Sequence, residues 1–241
     1  MLKTFLFYVV FFLYMVYSLV KKLKLDRIRK SGSEKEAENY IYISVKKWSD
    51  FILKLINASV KVTGTENIPQ VPCLFVSNHQ GFLDIPIILS SLDRTVGFIA
   101  KKELTKFKLV SYWMKQINCI FINREDIRES IKSINKGSEL LNNGHSMVIF
   151  PEGTRSKGPR IGEFKKGSLK LALKSKVPIV PIAIDGSYKL REGNAHSMIK
   201  SANVNVTICK PIYTDSLSRE ERESLADNIK SEISKHIYLE N

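Results

Sequence analysis

"CLFVSNHQGFLDIPIIL", residues 73–89, sets the frame for the chain. A short unbroken apolar run, "CLFVS", ends in the polar turn "NHQG", and the apolar "IPIIL" follows directly behind Asp84. An apolar run of this length bounded by turn residues reads as a buried strand, and the segment after it as the start of a helix. His79 and Asp84 therefore sit where a strand ends and a helix begins.

The same alternation recurs on either side. "VGFIA" (96–100), "CIFI" (119–122), "MVIF" (147–150), "IVPIAI" (179–184) and "VNVTI" (204–208) read as further strands. Residues 85–92, 103–117, 126–143, 166–176 and 218–237 read as helices. Strands alternating with helices predict an α/β fold with a mostly parallel central sheet flanked by helices. In such sheets ligands bind beyond the carboxyl ends of the strands, the side on which His79 and Asp84 fall.

The N-terminal quarter has a different character. From Thr4 to Val20 no side chain is charged, and "KKLKLDRIRK" (21–30) then carries six basic residues against Asp26 alone. An apolar run followed by a basic decade is the pattern of a membrane-associated segment whose lysines and arginines meet anionic headgroups on the cytoplasmic side. Seventeen helical residues reach roughly 25 Å, short of a hydrocarbon core of about 30 Å, so spanning and re-entrant placements both stay open. A cleaved signal peptide fits less well, since Lys3 is the only basic residue ahead of the apolar run and no A-x-A-like site follows. After a polar break at 31–39, residues 40–58 place Ile41, Val45, Trp48, Ile52 and Leu55 at helical spacing with lysines opposite. That amphipathic helix suits a bilayer surface or a protein core equally. The expected organisation is a membrane-associated helical unit at 1–59 (apolar 4–20, basic 21–30, amphipathic 40–58) and an α/β domain at 60–241.

Composition narrows the partners. With 44% hydrophobic residues among 241, the chain has enough apolar side chains for a substantial core, which argues against disorder. A net charge of +14 and a pI near 9.6 point to anionic partners. The aromatics gather in the apolar N-terminus rather than among the basic residues, which favours lipid and predicts no nucleic-acid partner. Cys73, Cys119 and Cys209 are far apart, lie in apolar runs and form no CxxC or Cys/His pattern, so buried reduced thiols are expected and no metal is called for.

A histidine five residues ahead of an aspartate is the spacing of a general-base pair: the carboxylate holds one ring nitrogen and leaves the other to take a proton. Alone, the pair is a weak signal. "FPEGTRS" (150–156) strengthens it, because it places Glu152, Gly153, Thr154 and Arg155 in a tight turn at a second strand end. Gly153 allows close backbone approach to a ligand, and a guanidinium holds a phosphate through paired hydrogen bonds. "VGFIAKKEL" sends Lys101 and Lys102 past a third strand end, and "CIFINRED" sends Asn123 and Arg124 past a fourth. Cations converging there would form a pocket for phosphate. His145, His196 and His236 have no such company.

"NHQGFLD", "INRED", "FPEGTRS" and "VPIVPIAIDGS" resemble, in order and spacing, the four blocks of the glycerolipid acyltransferase family that includes bacterial 1-acyl-sn-glycerol-3-phosphate acyltransferases. The resemblance covers roughly residues 60–210 and departs from the common pattern at Gly81, where many relatives carry serine or another small polar residue. It implies transfer of a fatty acyl group from acyl-carrier protein or acyl-coenzyme A to the sn-2 hydroxyl of lysophosphatidic acid, giving phosphatidic acid. By this similarity His79 and Asp84 are the catalytic pair. Lys101, Arg124 and Arg155 bind the acceptor phosphate with Thr154, while Glu152 and Gly153 shape the loop. Pro181 would shape a strand or acyl-pocket wall. The resemblance calls for no cofactor, and the implied setting is the cytoplasmic face of the cell membrane. Another lysophospholipid, glycerol-3-phosphate or a lyso-aminolipid fits the blocks as acceptor too, and a non-catalytic membrane protein would be expected to show a broken His/Asp pair.

Overall fold

The protein is described by a computed structural model over residues 1–123 and 127–238. Seven strands form one sheet in the order β1-β7-β6-β2-β5-β3-β4: β1 Ser59–Thr63, β2 Leu74–Ser77, β3 Val96–Lys101, β4 Ile120–Ile122, β5 Ser146–Ile149, β6 Ile179–Asp185 and β7 Asn203–Ile208. Every neighbouring pair is parallel except β6 and β7. The five strands from β6 to β4 therefore end along one edge of the sheet, and that edge carries every strand-end block singled out above.

Alternation along the strands divides the core into two layers. Phe75, Val148 and Val180 face α1 (Leu2–Lys30), α2 (Glu34–Leu55) and α3 (Asp84–Ser91). Leu74, Val76, Met147 and Ile179 face the other side, packed with Leu141 of α5 (Ile127–Asn142), Leu171 of α6 (Lys170–Ser175) and Ile229 and Ile233 of α7 (Arg219–Ser234). The predicted α/β fold with helices on both faces is what the structure shows.

Four local expectations change. The apolar run and the basic decade form a single 29-residue helix, α1. The polar break is shorter than 31–39, because the Ser33 side chain accepts the Glu36 backbone N–H at 3.3 Å and starts α2 at Glu34. β1 was hidden in sequence by an alternation, "SVKVT", that runs on from the amphipathic stretch; its parallel partner β7 supplies the missing pairing. The segment 103–117 divides into a 3-10 turn at Lys102–Lys106 and α4 at Lys108–Gln116, and 166–176 divides in the same way ahead of α6. The amphipathic helix packs inward: Ala37, Ile41, Ile52 and Leu53 of α2 are buried. All three cysteines are free and buried.

Candidate functional site

β2 ends at Ser77, and the next side chain locks its position. Asn78 donates through Nδ2 to the Ile184 carbonyl and accepts the Ile184 N–H through Oδ1, both at 2.8 Å. This buried carboxamide acts as one more peptide unit between the ends of β2 and β6. The chain then turns, and α3 begins at Asp84.

That turn folds Asp84 back onto His79. The His79 Nδ1 lies 2.7 Å from Asp84 Oδ2. The same oxygen accepts the Gly81 N–H at 2.9 Å, and Oδ1 accepts the Ser187 hydroxyl. Asp84 is fully buried, and a buried carboxylate is tolerated when donors surround it as these three do. Pairing with a carboxylate puts the ring proton on Nδ1 and leaves Nε2 as the basic nitrogen. The ring is also held flat: it stacks on Phe150, with centroids 4.0 Å apart and planes 17° from parallel.

The turn after β5 is clamped to the turn after β2. Glu152 Oε1 accepts the His79 backbone N–H at 2.7 Å, and Oε2 accepts the Gly162 N–H at 2.8 Å. The backbone N–H groups of Ser156 and Lys157 reach the His79 and Gln80 carbonyls at 2.8 and 3.1 Å. Burial pushes the Glu152 carboxyl above the usual carboxylate range, opposed by the two backbone N–H bonds it accepts. Both of its oxygens are thus committed to backbone, so it holds the loop together. Gly153 has φ 73°, a conformation that favours glycine.

A cavity of about 810 Å³ opens over these turns. His79, Lys101, Gly153, Thr154 and Arg155 line it at the strand ends, and it runs between α1 and α2 past Phe11, Val45, Trp48 and Ile52. The strand-end part carries Lys101 and Arg155 beside His79, and the rest is mostly apolar apart from Lys21 and Glu103, which suits a molecule with an anionic head and a hydrocarbon tail. Arg124 lies outside the described residues. Lys102 pairs with Glu129 at 2.9 Å. Pro181 sits within β6, opposite Val76 of β2.

The structure adds residues that sequence reasoning passed over. Phe150 and Ser187 stood inside quoted blocks without an assigned role. Arg155 Nη1 donates to Glu192 Oε1 at 3.0 Å, and nothing in the sequence around Glu192 announces that pairing. Gly81 has a neighbour to match: a Cβ built there would meet Glu192 Oε2 at 2.7 Å. A Cβ at that position would press on the Glu192 carboxylate.

Cys209, Glu232 and His236 form a second cluster, with ligand atoms within 4.8 Å of one another. It lies beside the start of β6, where the Cys209 N–H meets the Pro181 carbonyl, away from His79. Lys235 already neutralises Glu232 at 2.6 Å, and burial pushes the Cys209 thiol up to about 11.

Comparison with known proteins points to one family. The acyltransferase family model matches residues 59–185. A 1-acyl-sn-glycerol-3-phosphate acyltransferase of Brassica napus, the chloroplastic BAT2, is 37% identical over 173 residues, covering 70% of this chain; the chain spans about half (50%) of that relative's length. The enzyme of the same name from Borreliella burgdorferi is 31% identical over 188 residues, covering 77% of this chain and 74% of its own. The crystal structure of the 1-acyl-sn-glycerophosphate (LPA) acyltransferase PlsC from Thermotoga maritima superposes with a TM-score of 0.85 at 28% identity, covering 98% of this chain and 94% of that one. With its His79–Asp84 pair at the end of β2 and its arginine loop at the end of β5, this chain belongs to the acyltransferase family.

Proposed function

We propose that the protein is a 1-acylglycerol-3-phosphate O-acyltransferase that moves a fatty acyl group from a thioester, acyl-carrier protein or acyl-coenzyme A, to the sn-2 hydroxyl of lysophosphatidic acid. The observation that carries this reading is the His79–Asp84 pair at 2.7 Å on the wall of a cavity that also holds Arg155 and Lys101. His79 Nε2 takes the proton of the acceptor hydroxyl as its oxygen attacks the thioester carbonyl. The new C–O ester bond forms, the C–S bond breaks, and the proton passes from the imidazolium to the leaving thiolate. Asp84 keeps the ring in its tautomer and stabilises the imidazolium between the two transfers. Arg155, Lys101 and Arg124 bind the acceptor phosphate, Thr154 and Gly153 border it, and Glu152 keeps their loop against His79.

Residues 1–59 seat the catalytic unit, 60–241, on an anionic phospholipid surface at the cytoplasmic face of the cell membrane. α1 supports this: it is long and apolar enough to cross a bilayer, and Phe5, Phe12, Leu13 and Val20 are each more than half exposed. Exposed apolar side chains in such a row favour contact with lipid.

The test supplies purified protein with labelled lysophosphatidic acid and each donor in turn, with products identified by mass spectrometry. Phosphatidic acid is the expected product. No turnover of lysophosphatidic acid alongside turnover of another lysolipid or of glycerol-3-phosphate overturns the assignment of the acceptor.

A further inference from the structure

Three donors converge on one oxygen of Glu192: Arg155 Nη1 at 3.0 Å, Arg191 Nη1 at 3.1 Å and the Phe82 N–H at 2.9 Å. The side chain is only 3% exposed, and its other oxygen, Oε2, is buried with no hydrogen-bond partner among the described residues. Such one-sided satisfaction is costly, because a bare buried carboxylate oxygen has given up water for nothing. Its gain lies in what it holds in place. Phe82 and Arg155 both line the cavity. Arg191 reaches from the same carboxylate to the Tyr8 hydroxyl of α1, donating through Nε at 3.1 Å, with its Cζ 5.8 Å from the centre of the Phe82 ring.

We propose that Glu192 is a positioning residue that holds the Arg155 guanidinium ready for the acceptor phosphate, and that Gly81 lacks a side chain because this carboxylate occupies the space. The inference rests on Arg155 being the phosphate ligand. An arginine on a loop with 38% of its side chain exposed would otherwise lose rotamer freedom each time a phosphate bound. Glu192 fixes it beforehand through Nη1. A guanidinium has five N–H donors, so the remainder are available for a phosphate without breaking the Glu192 bond. Two guanidiniums against one carboxylate leave the node net cationic, as an anionic headgroup requires. Arg191 and Tyr8 carry the same fixture to α1, so the helix that would meet lipid also braces the headgroup site.

The test is a double-mutant cycle on the full-length protein in mixed micelles with lysophosphatidic acid, reading KM and kcat separately. Arg155→Ala and Glu192→Ala should each raise KM about tenfold, the scale of one charge-assisted bond, with kcat within about twofold. In the Arg155→Ala background, Glu192→Ala should add nothing. If Arg155→Ala leaves KM unchanged, the phosphate reading itself fails. If Arg155→Ala raises KM but Glu192→Ala does not, or the two effects multiply, the reading stands and the role given to Glu192 is overturned. Should Glu192→Ala fail to fold, Glu192→Gln keeps the shape and one accepting oxygen; it should raise KM about threefold through the weaker neutral bond. An unchanged KM in that folded variant, or a fall in kcat alone, equally overturns the proposal. Gly81→Ala, whose Cβ presses on Oε2, should reproduce the KM effect.

Discussion

The strand-end turns and the α1 helix face the same cavity but are built on opposite principles. In the turns, Asn78, Asp84, Glu152 and Glu192 are buried polar groups, each fixed by bonds to atoms far away in sequence. In α1, the exposed side chains from Phe5 to Val20 are all apolar or aromatic, Phe5, Phe12, Leu13 and Val20 among them. A buried polar group works by exact direction, so its identity matters. An apolar surface works by area, so one large apolar residue replaces another. The first region should therefore break at single atoms, and the second only when its character changes.

The largest effect expected is from His79→Ala, which should lower turnover by about a hundredfold or more, the scale for losing a general base. Co-sedimentation with anionic vesicles should stay at the wild-type level. Loss of vesicle binding together with activity would show that the ring supports the fold rather than the chemistry. The converse change is Phe12→Asp combined with Leu13→Asp, at residues 65% and 59% exposed. It should weaken vesicle binding about tenfold or more while turnover in detergent micelles is kept, because charge is costly in an apolar phase but these side chains do not line the cavity. Phe12→Leu should change neither. If the leucine variant lost binding as the aspartate variant does, area would not be the operative property.

A smaller effect tests how finely the imidazole is aimed. Phe150→Leu removes the ring stacked on His79 and should cost about 1 kcal/mol of transition-state stabilisation, roughly fivefold in kcat, since aromatic pairs contribute on that scale beyond their area. Steady-state kinetics at saturating acceptor reads it. The smallest expected signal is from the thiols. Burial pushes Cys73 and Cys209 up to about 11 and Cys119 up to about 12, against an ordinary value of about 8.5. A raised pKa means less thiolate at any given pH, so at pH 8 the native protein should not react measurably with an aromatic disulfide reagent. All three should react once it is unfolded. Rapid labelling of Cys119, which lines the cavity, would show that this wall opens to solvent.

Strands β2 to β6 were legible because each is a short apolar run between turn residues, the pattern of a strand covered by the sheet's helices, and β7 because its alternate residues Val204, Val206 and Ile208 are apolar and buried. β1 was not, because "SVKVT" is an edge strand whose partly exposed alternation merges with the helix before it. The His79–Asp84 pair was legible for the same reason as the turn that carries it: five residues at the end of a strand are enough for the backbone to bring the two groups together. Arg155 was legible as a cation beside that turn, but its position was not.

Sequence by itself determined the local parts: that the apolar runs of β2 to β6 are strands, that an acid and an imidazole share one turn, and that the first helix is apolar. It did so because these depend on periodicity and short spacing. Only the tertiary structure decided that β6 lies beside β2, and with it that Ser187 reaches Asp84 and Glu192 reaches Arg155 across 103 and 37 residues of chain. Contacts of that range depend on strand order, which buried apolar runs of nearly equal character leave open until they pack.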